Sequence, residues 1–199
     1  MRALGRPFWL AGGYGGKGAL AAARAAGAAG VQVGTAFAFC EESGLRSDYK
    51  QALLAQVQSG KARVFTDPLA SPTSFPFKVV QLAGTMSDAA EYGSRARVCD
   101  LGYLREAYRK DDGSVGFRCA GEPVGAYVAK GGAVEDTNGR KCICNALMAN
   151  IGLGQVRGRS IEPGIVTSGD DLSSVTRFMP PGDTRYSAAD VIAKILAPV

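Results

Sequence analysis

Two stretches decide how the chain is read: Phe8-Trp9-Leu10-Ala11-Gly12-Gly13-Tyr14-Gly15-Gly16, and, after an alanine-rich run, Gly30-Val31-Gln32-Val33-Gly34-Thr35. Residues 8–11 form an unbroken apolar run, the pattern of a strand buried on both faces of a parallel sheet, so Trp9 is expected in the core. The glycines that follow let the backbone turn tightly. Residues 17–29 are dominated by alanine, the strongest helix former, which predicts a helix that sits close to a sheet and stops at Gly30. Val31-Gln32-Val33 then reads as a second, short strand. The roughly twenty residues between the strands fit one right-handed crossover. The result is a βαβ unit with a glycine turn at the end of each strand.

That arrangement has a chemical reading. A phosphate needs several N–H donors converging on a small volume, and glycine turns supply them because no Cβ blocks the approach. The candidate donors are Gly12 and Gly13 after the first strand, and Gly34 and Thr35 after the second. Gln32 can present a carboxamide, and Tyr14 can cover a ligand or simply pack on its loop. The competing reading is that the glycines only mark tight turns and Gln32 faces solvent.

Working outward, Tyr49, Leu53, Leu54 and Val57 recur at helical spacing, predicting a helix capped by Ser47 and closed by Gly60. Residues 62–66 alternate weakly, as a strand does. Pro68, Pro72 and Pro76 break the next segment, and residues 77–82 read as extended. From Gly84 the βα alternation stops. Turn signals crowd in at Asp112-Gly113, Gly131-Gly132, Asn138-Gly139 and Pro180-Pro181-Gly182. Short helical segments are predicted at 122–130, 145–151 and 171–178. A final helix opens on a capping-box-like pair, Ser187 and Asp190, with Val191, Ile192, Ile195 and Leu196 on its apolar face. Two regions follow, 1–83 and an irregular 84–199.

Composition narrows the chemistry. The 199 residues include no histidine, so this chain's own residues supply no Ser-His-Asp triad, Cys-His pair or histidine-ligated zinc. The net charge of +5 comes from scattered basic residues without interleaved aromatics, which argues against nucleic acid. No stretch approaches the roughly 20 apolar residues of a membrane span. The first residues lack a signal-peptide core, and an odd count of five cysteines argues against a disulfide framework, so a reducing, cytoplasmic setting is expected. Cys99, Cys119, Cys142 and Cys144 fall in the second region. Four thiolates can hold zinc or an iron–sulfur cluster. Their spacing is not the diagnostic C-x-x-C, so incidental buried cysteines and no metal are the simpler expectation. Glu41 and Glu42 lie just beyond the second strand's end, where active-site loops sit; one of them can face a substrate or pair with Arg46, and the simpler expectation is that the pair is solvated.

The segments 7–15 and 27–37 resemble the nitronate monooxygenase (2-nitropropane dioxygenase-like) family, flavoproteins with a TIM (β/α)₈ barrel. Cys40-Glu41-Glu42-Ser43-Gly44-Leu45 continues the likeness. The stretches at 99–104 and 139–145 look like a longer subgroup related to the trans-acting enoyl reductases of fatty acid and polyketide synthesis. The resemblance implies an FMN-dependent oxidoreductase or monooxygenase whose FMN phosphate is gripped by Gly12, Gly13, Gln32, Val33, Gly34 and Thr35. It implies an α/β fold, the C-terminal portion of a barrel (its last two βα units) over 1–83, followed by the irregular α+β extension. It also implies a chain that starts at the seventh strand, a fragment without catalytic residues of its own, since a barrel takes about 250 residues. Its partners would be a small nitronate or enoyl substrate and a synthase or an upstream barrel fragment. The rival from another class is a non-catalytic binding or metal-binding module.

Overall fold

A computed structural model describes residues 2–198. After a 3₁₀ turn at Arg2–Leu4, the first elements are β1 (Trp9–Ala11), α1 (Ala19–Ala25), β2 (Gly30–Gln32), α2 (Thr35–Ala38) and α3 (Ser47–Gln58). Then come β3 (Val64–Asp67), β4 (Phe77–Val80), α4 (Ala89–Ser94), β5 (Glu106–Arg109), β6 (Val115–Arg118), α5 (Val124–Ala129), a 3₁₀ turn at Val134–Thr137 and α6 (Ile143–Asn150). The chain closes with β7 (Val156–Arg157), β8 (Ser160–Ile161), a 3₁₀ segment at Leu172–Phe178 and α7 (Ala188–Leu196). The strands form four two-stranded sheets. No helix among the described residues is long and apolar enough to cross a membrane.

Two compact units emerge. One comprises the residues up to Val64 together with those from Ser168 onward; the other is Phe65–Thr167. The change of texture at Gly84 therefore falls inside the second unit, because Val79 before it and Met86 after it share one core.

In the first unit, β1 and β2 pair in parallel, Trp9 with Gly30, Leu10 with Val31 and Ala11 with Gln32, and α1 is their crossover. The helix is shorter than the alanine run predicts. Gly18 (φ 76°) stands at its start, and Gly27 (φ 85°) ends it before Gly30, with Gly27 N–H donating to Arg24 O and Ala28 N–H to Ala23 O. Trp9 is not core: it is 59% exposed. Its indole lies across Gly30, where a Cβ would stand 3.1 Å from the ring. Among the described residues the sheet has two strands, so no further strand lies beside β1 to bury it.

α3 buries Tyr49, Leu53, Leu54 and Val57, the residues its spacing predicts. Ser47 is its first helical residue rather than its cap; Arg46 holds that position and forks onto Asp48 at 2.6 and 3.0 Å, so it does not pair with Glu41 or Glu42. Phe39, Val175, Phe178, Tyr186 and Val191 are buried in the same unit, and the Tyr186 hydroxyl donates to Ala36 O at 2.7 Å. Lys50 is only 9% exposed, and its ammonium donates to the carbonyls of Cys40, Glu41 and Ser43 at 3.1, 2.8 and 3.1 Å. α7 opens on the predicted capping box of Ser187 and Asp190, and Glu42 accepts from Ala188 N–H at 2.8 Å. Ser187→Ala should therefore cost about 1 kcal/mol, read as a lower urea midpoint; an unchanged midpoint would show that Glu42 suffices. Of the predicted apolar face only Val191 is buried, while Ile192 and Leu196 are exposed.

The second unit packs Ala70, Val79, Met86, Ile143, Ala146 and Ile165 together, with Phe77, Tyr92 and Leu104 against them. β4 is held to the segment before Thr167 by Val80 N–H donating to Val166 O at 2.8 Å. β5 and β6 form an antiparallel hairpin turning at Asp112-Gly113, where Asp112 accepts from both the backbone and the hydroxyl of Ser114. Glu162 is buried, with a 1% exposed side chain held by Arg95 at 2.6 Å and Arg157 at 2.8 Å.

Candidate functional site

The parallel pair fixes the site. Because Ala11 sits opposite Gln32, both strands end level with each other, and their glycine turns open on one side. The cleft there has a volume of about 370 Å³ and is lined by residues 11–15 and 32–35 together with Gly169 and Asp171. All six residues expected to grip a phosphate, Gly12, Gly13, Gln32, Val33, Gly34 and Thr35, thus meet in one place, and Tyr14 lines it too.

Gly12 and Gly13 lie at φ 82° and 81°, a region where side chains other than glycine's are strained. Gly15 is buried, and a Cβ on it would stand 3.2 Å from Val33 Cγ1, so its bareness lets the two turns close on each other. Thr35 Oγ1 accepts from Gly169 N–H at 3.0 Å, which leaves its own proton free to be donated. The Arg177 guanidinium lies against Gly16, 2.6 Å from where a Cβ would be, and its Nε donates to Ser174 O.

Gly169 and Asp171 were not legible as site residues. They come from the far end of the sequence, and a Ser-Gly-Asp-Asp turn carries no sign of what it will face. Asp171 matters electrically, since its carboxylate opposes an anion in the same cleft. Charge at the rest of the predicted residues is spoken for. Glu41 pairs with Arg185 at 3.2 Å, and Glu42 serves α7, whose Ala188 N–H holds its carboxyl below the usual range. Cys40 is buried, donates to Phe37 O at 3.2 Å, and has its thiol pushed up by burial.

The five cysteines are all free. Cys119 and Cys142 are buried, Cys99 and Cys144 half-buried. Burial pushes the Cys119 thiol up to about 11 and raises that of Cys142. Among the described residues, no three of His, Cys, Asp and Glu are closed around a point that a metal could occupy. The chain matches no family model, no curated protein and no solved structure.

Proposed function

We propose that the first unit carries the phosphate grip of an FMN-dependent oxidoreductase of the nitronate monooxygenase type. The observation that supports this most is the meeting of Gly12, Gly13, Gln32, Val33, Gly34 and Thr35 in one cleft at the level ends of two parallel strands. Backbone amides of the glycines and the Thr35 hydroxyl are donors, the chemistry a phosphate monoester takes. Bound FMN would supply redox chemistry at its ring. This chain's part is to hold and orient the phosphate end, with Gly15 keeping the two turns together.

The cleft fits a phosphate with one reservation built into it, the Asp171 carboxylate. Removing that charge should tighten anion binding. Asp171→Asn is expected to lower the dissociation constant for FMN about tenfold (~1.4 kcal/mol), the effect of one unit charge about 4 Å away in a solvated, nearly water-like dielectric. Titration of FMN into the full chain, followed by quenching of flavin fluorescence and competed by inorganic phosphate, reads this out. Saturable binding that phosphate displaces, strengthened by Asp171→Asn, is the expected result. Absence of any saturable binding in both proteins would remove the proposal. Binding indifferent to phosphate would place the flavin elsewhere.

A further inference from the structure

The second unit has a cleft of its own, with a volume of about 500 Å³. One wall is α6. Ile143 with Leu147, and Cys144 with Met148, are each four residues apart, so they stand in neighbouring rows on one side of the helix. A second wall is Phe75 and Phe77, whose rings meet edge to face with centroids 5.8 Å apart. Tyr103 and Leu104 supply a third. Phe77 and Leu104 also pack on the core of the unit, so the cleft is continuous with the folded interior. No Lys, Arg, Asp or Glu lines it. Phe75 is left 62% exposed, Tyr103 72% and Leu147 37%.

The loop that carries Phe75 is fixed in advance. Ser74 sits at φ 60°, a conformation costly for any residue but glycine. Its N–H donates to Ser71 O at 3.0 Å, and Pro72 and Pro76 stiffen the chain on either side. Arg140 clamps the loop from outside, Nη1 donating to Ser71 O at 2.6 Å and Nη2 to Ser74 Oγ at 2.9 Å. Backbone strain held in place by its surroundings is a feature of ligand clamps. Here it keeps an exposed ring at the cleft before anything binds, which removes an ordering cost from binding. The same loop brings the one polar feature of the lining apart from the Tyr103 hydroxyl and the Cys144 thiol. Ser71 Oγ and Thr73 Oγ1 are 2.8 Å apart, and Ser71 Oγ also accepts from Thr73 N–H at 3.3 Å. One hydroxyl donates to the other, so one of the two protons has no acceptor among the described residues and can be given to a ligand.

We propose that this cleft binds a small, uncharged, mainly hydrocarbon molecule that carries one carbonyl-type acceptor. Its volume is that of a small-molecule site, and a few hydroxyls set in apolar walls is the lining such sites have. An ionic group would lose its water there and find no opposite charge. A peptide would bring several backbone N–H and C=O groups, and one hydroxyl pair leaves most of them unpaired. Affinity comes from covering the exposed parts of Phe75, Tyr103 and Leu147. The sulfurs of Cys144 and Met148 adapt to irregular shapes, and the spare hydroxyl proton orients the acceptor. The site owes nothing to the phosphate grip, whose residues all lie in the other unit.

The test titrates the full chain with the neutral fluorescent probe N-phenylnaphthylamine and displaces it with benzophenone or with diphenylmethane, its analogue without the carbonyl. Saturable binding of one probe per chain is expected, with benzophenone displacing it about fivefold more tightly than diphenylmethane, the worth of one hydrogen bond. Leu147→Asp and Phe75→Ser should each weaken probe binding about tenfold. Phe117→Ser, which removes an exposed ring of the same unit outside the cleft, should not change it. Saturating benzophenone should slow alkylation of Cys144 by iodoacetamide and leave Cys99, half-buried and outside the cleft, unaffected. Should the cleft variants fail to fold, protection of Cys144 in the native chain decides. Lack of saturable probe binding overturns the proposal, as does binding unchanged in both folded cleft variants or a Cys144 left unprotected at saturation. Equal displacement by the two competitors overturns the carbonyl-bearing ligand. Cys144 shielded without ligand, in step with a dimer seen by sedimentation, gives the cleft to a second copy of the chain and overturns it too.

Discussion

Glu162→Ala should lower the stability of the second unit by about 3–5 kcal/mol, the cost of leaving a buried charge without its partner. The Glu162 side chain is 1% exposed, and the Arg95 side chain that meets it is 8% exposed. Arg95 Nε is committed to Glu162, while its Nη2 donates to Val98 O at 3.4 Å. Arg157 suffers less, because it is a third exposed and keeps Asp100. Urea unfolding measures the loss. The double replacement Arg95→Leu with Glu162→Leu should recover most of it, because apolar groups of similar volume commonly replace a buried ion pair without penalty. A single-variant loss under about 1 kcal/mol would mean that water reaches Arg95 and the pair is effectively a surface one.

Lys50→Met should cost the first unit about 3 kcal/mol. The ammonium satisfies three carbonyls at once, and hydrogen bonds to a charged group contribute about 1.5–3 kcal/mol each before the cost of burying the charge is set against them. Methionine fills the volume of the stem but leaves the oxygens of Cys40, Glu41 and Ser43 without that donor. Lys50→Arg should not rescue the loss, since a planar fork does not fit three acceptors arranged around a point. The segment it holds follows directly on α2, which begins with Thr35, so the variant should also weaken phosphate binding in the cleft. A midpoint unchanged from the native chain would show that solvent satisfies those carbonyls.

What was legible in the sequence was local. The capping box of α7 could be read because Ser187 and Asp190 are three residues apart and their bonds close within one turn. α3 could be read because Tyr49, Leu53, Leu54 and Val57 repeat with the helical period. The six cleft residues could be grouped because two glycine turns end consecutive strands. Asp112-Gly113 marks a turn in the sequence, but the β5–β6 hairpin around it carries no visible alternation, because both strands are largely polar. Non-local pairings left no trace. Nothing in sequence links Lys50 to the carbonyl of Cys40, Arg95 to Glu162, or Thr35 to Gly169, which are 10, 67 and 134 residues apart. Trp9 misled for a related reason: an apolar run reports that a strand can be buried, while burial itself depends on what lies beside it.

The β1–β2 pair has consequences for how this protein behaves in a test tube. Each strand has hydrogen-bonding groups on its outward side, and no further strand takes them among the described residues. Those amides should exchange with deuterated solvent far faster than the ones between the strands. The same free edges, with an exposed indole on β1, are a template onto which another chain can add. The apparent molar mass from light scattering should therefore rise with protein concentration, and Trp9→Lys should suppress that rise while leaving the cleft's glycines untouched.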